Sequence, residues 1–151
     1  MINEFRGDND IFSNFYLKKL KYEDIVYEDS ETAFQASKCK FNQDKLKFKK
    51  LKAFESKKLG RQIKLRDDWE TVKDKIMYDI ILIKFSDSIL KQKLLNTGEE
   101  YIEEGNTWHD NYWGNCTCYN CRNITGKNIL GKILMDVRQQ FRLKQGETVE
   151  K

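Results

Sequence analysis

Apolar and polar residues alternate through Phe15 to Tyr22 and again through Ile25 to Glu28, on either side of Glu23 and Asp24. A period of two gives each segment one apolar face, and the polar pair between them predicts a short β-hairpin. From Ser30 the period becomes helical. Ser30 is placed to cap a helix beginning at Glu31, with Ala33, Phe34 and Ala36 as its packing positions. Glu31, Gln35 and Lys38 then fall at i, i+4 and i+7 and project from one face. A second helix is expected from Asp44 to about Lys58, with Leu51 and Phe54 turned inward.

Asp67 and Glu70 have the spacing of a capping box, and Trp69, Val72, Ile76, Ile80 and Ile83 follow at steps of three and four. This is the clearest core helix in the chain. A shorter helix from Asp87 to Asn96 is expected to end at Gly98. Ile129, Leu130, Ile133, Leu134, Val137 and Phe141 form a broad apolar stripe on a last helix opening near Lys127. Gly131 within it costs helix stability unless close packing or ligand approach requires it. No repeat or linker marks a boundary, so the expected organisation is one domain over residues 1–144 and a polar tail over 145–151. The fold class is α+β, mainly helical, with a small N-terminal hairpin or sheet.

Composition narrows the possibilities. Hydrophobic residues make up 39%, charged residues 34% and aromatics 13%, a lean globular mixture and not a disordered one. No run of about 18 apolar residues is present and the N-terminus is polar, which points away from a spanning helix or a secretory signal and toward a cytoplasmic protein. The net charge of +4 is the small excess of 28 Lys and Arg over 24 Asp and Glu, so nucleic-acid binding is not demanded. The basic run Lys45 to Lys58 alternates lysines with apolar residues, as the solvated face of an amphipathic helix does.

Two segments resist a purely structural account. Glu31, Gln35 and Lys38 share a helical face, which periodicity alone reads as the wet side of the helix. Gly105 to Gly126 gathers Asn106, Trp108, His109, Asp110, Tyr112, Trp113, Gly114 and three cysteines into a loop-like stretch. Exposed loops seldom carry two Trp residues without a packing or binding purpose.

In order along the chain come S-N-F-Y at Ser13 to Tyr16, E-x-x-F-Q-A-x-K at Glu31 to Lys38, and G-R at Gly60 and Arg61. R-D-D-W at Arg66 to Trp69, T-G at Thr97 and Gly98, D-x-x-W-G at Asp110 to Gly114, and G-x-N-x-L-G-x-x-L-M-x-x-R at Gly126 to Arg138 follow. In this order and spacing the chain resembles the YbiA-like, or NADAR, family along almost its whole length. The resemblance implies an α+β, mainly helical fold with a pocket for ribose-linked nucleotides. It also implies hydrolysis of N-glycosidic bonds, in phosphorylated riboflavin-pathway intermediates or in ADP-ribose attached to guanine. Glu31, Gln35, Lys38, Trp69, Asp110, Trp113, Asn128 and Arg138 fall at the family's pocket or signature positions.

Breaking a C1′–N bond develops oxocarbenium character on the sugar, which a nearby carboxylate can stabilise, or it can help water attack. Glu31 is the first choice for that role. Asp110 shares it or binds the ribose hydroxyls. Phosphate needs cationic donors, for which Lys38, Arg61, Arg66 and Arg138 are candidates, Arg66 and Arg138 each lying near acidic neighbours that compete for them. Trp113 offers an aromatic face to the base, with Phe15 or Trp108 in reserve. Asn14 and Asn128 can donate to sugar or base, and Asn128 can equally cap the last helix. Trp69, Gln35 and Gly114 complete the expected substrate-binding set.

Cys116, Cys118 and Cys121 form C-x-C-x-x-C, and with His109 or Cys39 they have the donors of a tetrahedral zinc site. Reduced thiols in a loop are the alternative. His109 stands where similar sequences often have a small residue. No cofactor is required by this reading and no residue is assigned to a metal. The expected partner is a nucleotide or ribosyl-phosphate substrate, with ADP-ribosylated nucleic acid as the larger possibility and no membrane. A module that binds ADP-ribose or NAD without cleaving it is the competing class. A nucleic-acid binder using Lys45 to Lys58 ranks below both.

Overall fold

The computed structural model describes residues 1–150, and the side chains of residues 1–146. It is α+β and mainly helical. It divides into two compact units, one formed by Ser13–Ser86 and the other by Met1–Phe12 with the chain from Asp87 onward.

The first unit opens with the predicted hairpin. Strands β1 (Leu17–Tyr22) and β2 (Ile25–Asp29) pair antiparallel, with Leu20 opposite Tyr27 and both buried. Glu23 and Asp24 take φ of 49° and 70°, the two left-handed residues whose twist suits a two-residue hairpin turn. Helix α1 (Ser30–Ala36) follows directly and every one of its residues is buried. Its cap is Asp29, not the expected Ser30: Asp29 Oδ1 accepts Thr32 N–H at 2.7 Å, a carboxylate at the positive end of the helix. The Ser30 hydroxyl donates instead to Asn14 Oδ1 at 2.9 Å.

The expected helix from Asp44 to Lys58 is broken. The chain forms α2 (Asn42–Lys45), a 3₁₀ turn at Leu46–Phe48, and then α3 (Ala53–Gly60). Phe54, expected inside, is 75% exposed and Leu51 is half-buried, while Phe48 is fully buried. The break is stabilised both from another element and locally: the Thr32 hydroxyl donates to the Leu51 carbonyl at 3.3 Å, and Glu55 in the first turn of α3 accepts the Lys52 N–H at 3.2 Å. The buried face of α3 consists of Ala53, Ser56 and Gly60, small residues that let it pack closely on α1.

Helix α4 (Trp69–Lys84) buries Trp69, Ile76 and Ile80, as the periodicity predicts, and also Met77 and Ile81, which it did not single out; Val72 is half-buried and Ile83, expected inside, is exposed. The Asp67 and Glu70 box does not form. Asp68 occupies the cap position and its carboxylate is held by Arg66 at 2.6 Å.

In the other unit α5 (Ser88–Leu95) is capped by Asp87, and Gly98 takes the left-handed φ of 63° expected at its end. Two residue pairs, β3 (Gly105–Asn106) and β4 (Asn115–Cys116), form a minimal parallel ladder that the sequence pattern did not announce. Helix α6 (Ile129–Glu150) buries Leu130, Ile133, Leu134, Val137 and Phe141. It runs on through residues 145–150, which the sequence reading set apart as a polar tail; residue 151 lies outside the described residues. A Cβ on Gly131 would overlap the Ile102 carbonyl and the Asn128 amide, so close backbone approach accounts for glycine inside this helix. Among the described residues, no helix is long and apolar enough to cross a membrane.

Candidate active site

Glu31, Gln35 and Lys38 lie together, as helical spacing requires, but not on a wet face. Glu31 is 8% exposed and Gln35 4%, and Lys38 is half-buried. Gln35 Nε2 donates to Glu31 Oε1 at 2.8 Å, which fixes one carboxylate oxygen. Burial drives the Glu31 pKa upward, while the Gln35 amide, Lys57 and Lys38 pull against it without cancelling the rise. Burial lowers the Lys38 pKa, and the positive charges of Lys57 and Arg61 act the same way against the attraction of Glu31. The group is therefore an acid and two cations in a partly dry setting.

Gln35 is itself constrained. Its Oε1 is buried without a hydrogen-bond partner and lies against Gly60, where a Cβ would overlap it and approach Cδ to 3.1 Å. Glycine at this point of α3 leaves room for the amide in the orientation that aims Nε2 at Glu31.

The same unit holds Asn14, Phe15, Arg66 and Trp69. The Asn14 carbonyl accepts the Glu31 N–H at 3.1 Å, and its buried side chain contacts Ser30 and Met77 Sδ, so Asn14 supports the start of α1. Phe15 is 46% exposed and Lys57 Nζ stands 5.8 Å from its ring centre. Trp69 is buried, packs on Phe34 with centroids 5.0 Å apart, and has Lys38 Nζ 5.9 Å from its ring. Arg66 is engaged by both oxygens of Asp68, at 2.6 and 3.0 Å, which raises its pKa.

Asp110, Trp113, Gly114, Asn128 and Arg138 belong to the other unit. Asp110 Oδ1 accepts the backbone N–H groups of Tyr112 and Trp113 at 3.1 and 2.9 Å, a turn-forming task. Trp113 is half-buried with Tyr112 edge-on at 4.8 Å. A Cβ on Gly114 would overlap the Glu104 carbonyl. Asn128, at φ 52° and buried, neither reaches outward nor caps α6 with its side chain: it donates to the Ile102 carbonyl at 2.9 Å and accepts Glu104 N–H at 3.0 Å. Arg138 is buried on the Thr97 hydroxyl and the Glu100 carbonyl at 2.8 and 2.9 Å, not on nearby Asp136.

Sequence reasoning missed Lys57, the cation that acts most strongly on Glu31, because it sits in a lysine-rich run that reads as solvated surface. The usable signal was the small-residue face of α3, which places that helix against α1. A cavity of about 470 Å³ beside the hairpin turn, lined by Glu23, Ile25, Asn42, Gln43, Lys45 and Leu46, contains none of the candidate residues. Cys39 is buried in an antiparallel bridge with Leu65, and burial pushes its thiol up to about 11.

The model of the NADAR domain family matches residues 3–142. The N-glycosidase Npun_R5314 of Nostoc punctiforme is 35% identical over 138 residues, covering 87% of this chain and 85% of that protein. The chloroplastic riboflavin biosynthesis protein PYRR of Arabidopsis thaliana is 35% identical over 88 residues, 58% of this chain and 14% of that protein. The NMR structure of the E. coli protein YbiA is similar with a TM-score of 0.83 and 28% identity, covering 97% of this chain and 88% of that one.

Proposed function

The chain belongs to the NADAR domain family, and from that premise we propose that it is an N-glycosidase whose central catalytic residue is Glu31. The observation that carries this reading is the Glu31 carboxyl itself, buried, fixed at one oxygen by Gln35, and flanked by Lys38 and Lys57.

Hydrolysis of a C1′–N bond sends the bonding electron pair to the departing nitrogen, which takes up a proton, while a water oxygen bonds to C1′ and gives up a proton. Positive charge builds on the sugar between those events. Gln35 engages Glu31 Oε1 and leaves Oε2 to face C1′ or to accept the proton of the attacking water. A raised pKa makes the ionised carboxylate a stronger proton acceptor than an ordinary glutamate. Lys57 and Lys38 supply charge for a phosphate group on the sugar, and the exposed ring of Phe15, already beneath Lys57, offers a stacking face for the base. In the other unit Asp110 holds a turn through Oδ1, which makes it the weaker claimant to the chemistry.

The substrate in this reading is a ribosyl phosphate joined to a nitrogenous base, either a ribosylamino-pyrimidine phosphate of riboflavin synthesis or an ADP-ribosylated guanine, free or in nucleic acid. The Arabidopsis relative, a riboflavin biosynthesis protein, supports the first. The setting is cytoplasmic and no membrane takes part. Incubation with each conjugate tests the proposal. Free sugar phosphate or free ADP-ribose is expected from one of them and not from Glu31→Gln. Intact ligand recovered after long incubation with a folded protein would favour a binding module instead.

A further inference from the structure

Beyond the glycosidase reading, we propose that His109, Cys116, Cys118 and Cys121 form a structural zinc site. The donor atoms of all four lie within 4.8 Å of one another. His109 Nδ1 stands 3.3 Å from Cys118 Sγ, 3.4 Å from Cys121 Sγ and 4.0 Å from Cys116 Sγ. Zinc–sulfur bonds of about 2.3 Å and zinc–nitrogen bonds of about 2.0 Å, set tetrahedrally, place ligand atoms roughly 3.5–3.8 Å apart. The four donors lie near that spacing, three sulfurs 3.3–4.0 Å from one nitrogen and no pair more than 4.8 Å apart, so small side-chain adjustments would close them on one ion.

The chain arrives in this arrangement through contacts other than those among the four donors. Asn106 cradles the backbone beside His109: its Oδ1 accepts from Trp108 and Asp110 N–H at 3.3 and 3.1 Å, and its Nδ2 donates to the Asp110 carbonyl at 2.8 Å. His109 itself takes φ of 69°, a left-handed turn. Asn111 Oδ1 accepts the Cys116 N–H at 2.9 Å, and a 3₁₀ turn bonds Cys121 N–H to the Cys118 carbonyl at 3.1 Å. Local side-chain brackets thus bring together residues from three points of one loop.

Three thiolates and an imidazole select zinc over magnesium or calcium, and a full set of four leaves no open position for a substrate or water. The site is structural on that ground. Its purpose is legible in the loop: between β3 and α6 the only regular pieces are a two-residue strand and one 3₁₀ turn, and the segment also carries Asp110, Trp113 and Gly114. A metal cross-link would hold it where regular secondary structure does not. Binding releases protons from the thiols, so affinity rises with pH.

Full-length protein, purified without added metal and freed of any affinity tag, is expected to carry about one zinc per chain by elemental analysis. Chelation should lower its melting temperature and zinc should restore it. Cobalt exchanged into the site should show the strong visible absorption of a tetrahedral, sulfur-rich centre. His109 is exposed, so His109→Ala tests the site without opening the core; it should lose metal, and His109→Cys should keep it. The proposal is overturned by a folded protein that holds no zinc and does not respond to it. It is equally overturned by zinc retained in Cys118→Ser with His109→Ala, or by a disulfide among the three cysteines in freshly isolated protein.

Discussion

Gly60 of α3 and Gln35 of α1 are packed so closely that a single methyl group on Gly60 would occupy the space of the Gln35 amide oxygen. Because the other end of that amide donates to Glu31, the glycine acts on the carboxyl through Gln35, as a positioning residue. Gly60→Ala is expected to turn the amide away and remove a charge-assisted hydrogen bond of about 1.5–3 kcal/mol, slowing turnover roughly ten- to hundredfold. Overpacking should also lower stability by about 1–3 kcal/mol. In a Gln35→Ala background the added methyl meets free space, so Gly60→Ala should there cost little further activity. A double-mutant cycle on kcat reads this coupling; additive losses would separate Gly60 from Gln35.

Lys57 lowers the Glu31 pKa by its charge, so Lys57→Met should raise it further and shift the acid limb of the kcat/KM profile to higher pH. The same substitution removes a candidate phosphate contact and should raise KM about tenfold or more. Lys58→Met, one residue along on the exposed side of α3, should do neither. Steady-state kinetics across pH measure both effects.

Glu31 also writes a signature into stability. Its pKa is raised in the folded protein, so the folded state binds more protons than the unfolded state over the interval between the two pKa values. Its contribution is full below the ordinary glutamate range and is lost as pH rises through the folded value. Glu31→Gln removes that loss. The melting temperature of the variant is expected to gain on the parent as pH rises above the ordinary glutamate range, whereas a constant difference would mean that Glu31 titrates normally.

Much of the fold was legible because local rules and tertiary packing agree: alternation gave the hairpin, and the Ile76 and Ile80 spacing gave the core face of α4. The failures share a cause. At the break in the helix expected across Asp44 to Lys58, the Thr32 hydroxyl, from another element, satisfies the Leu51 carbonyl, a partner of which local pattern carries no trace, while Glu55 restarts the helix locally at Lys52. The face of Glu31 and Gln35 reads as wet for the same reason, since it is buried by tertiary packing, Gly60 of α3 lying against Gln35. Asn128 and Arg138 were visible as signature residues. Their work, joining α6 to the chain near residues 97–104, was not, because it lies in backbone carbonyls that a sequence does not display.

Asn128→Ala should accordingly cost about 2–4 kcal/mol through its side-chain hydrogen bonds to the Ile102 carbonyl, Glu104 N–H and the Tyr101 hydroxyl and a left-handed backbone. Asn128→Gly, which keeps the backbone conformation, should cost less. Denaturant unfolding gives both values. KM measured on the folded fraction should stay near that of the parent, and a large rise in KM at full folding would make Asn128 a substrate contact.

Asp110 is distinguished by a pair of substitutions. Asp110→Asn keeps an oxygen to accept the Tyr112 and Trp113 N–H groups, and Asp110→Ala does not. Asn is expected to retain most activity and Ala to lose more. Equal, severe loss in both, with the loop intact by NMR, would place the carboxylate at the reacting atoms.

The most direct test is single-turnover cleavage of the preferred base–ribosyl conjugate by the parent and by Glu31→Gln, with base and sugar followed by mass spectrometry and ligand binding measured alongside. The predicted result is release of free base and free sugar by the parent, with the variant at least about a hundredfold slower while still binding the conjugate. Cleavage by Glu31→Gln at the parental rate would contradict the assignment of this reaction to Glu31.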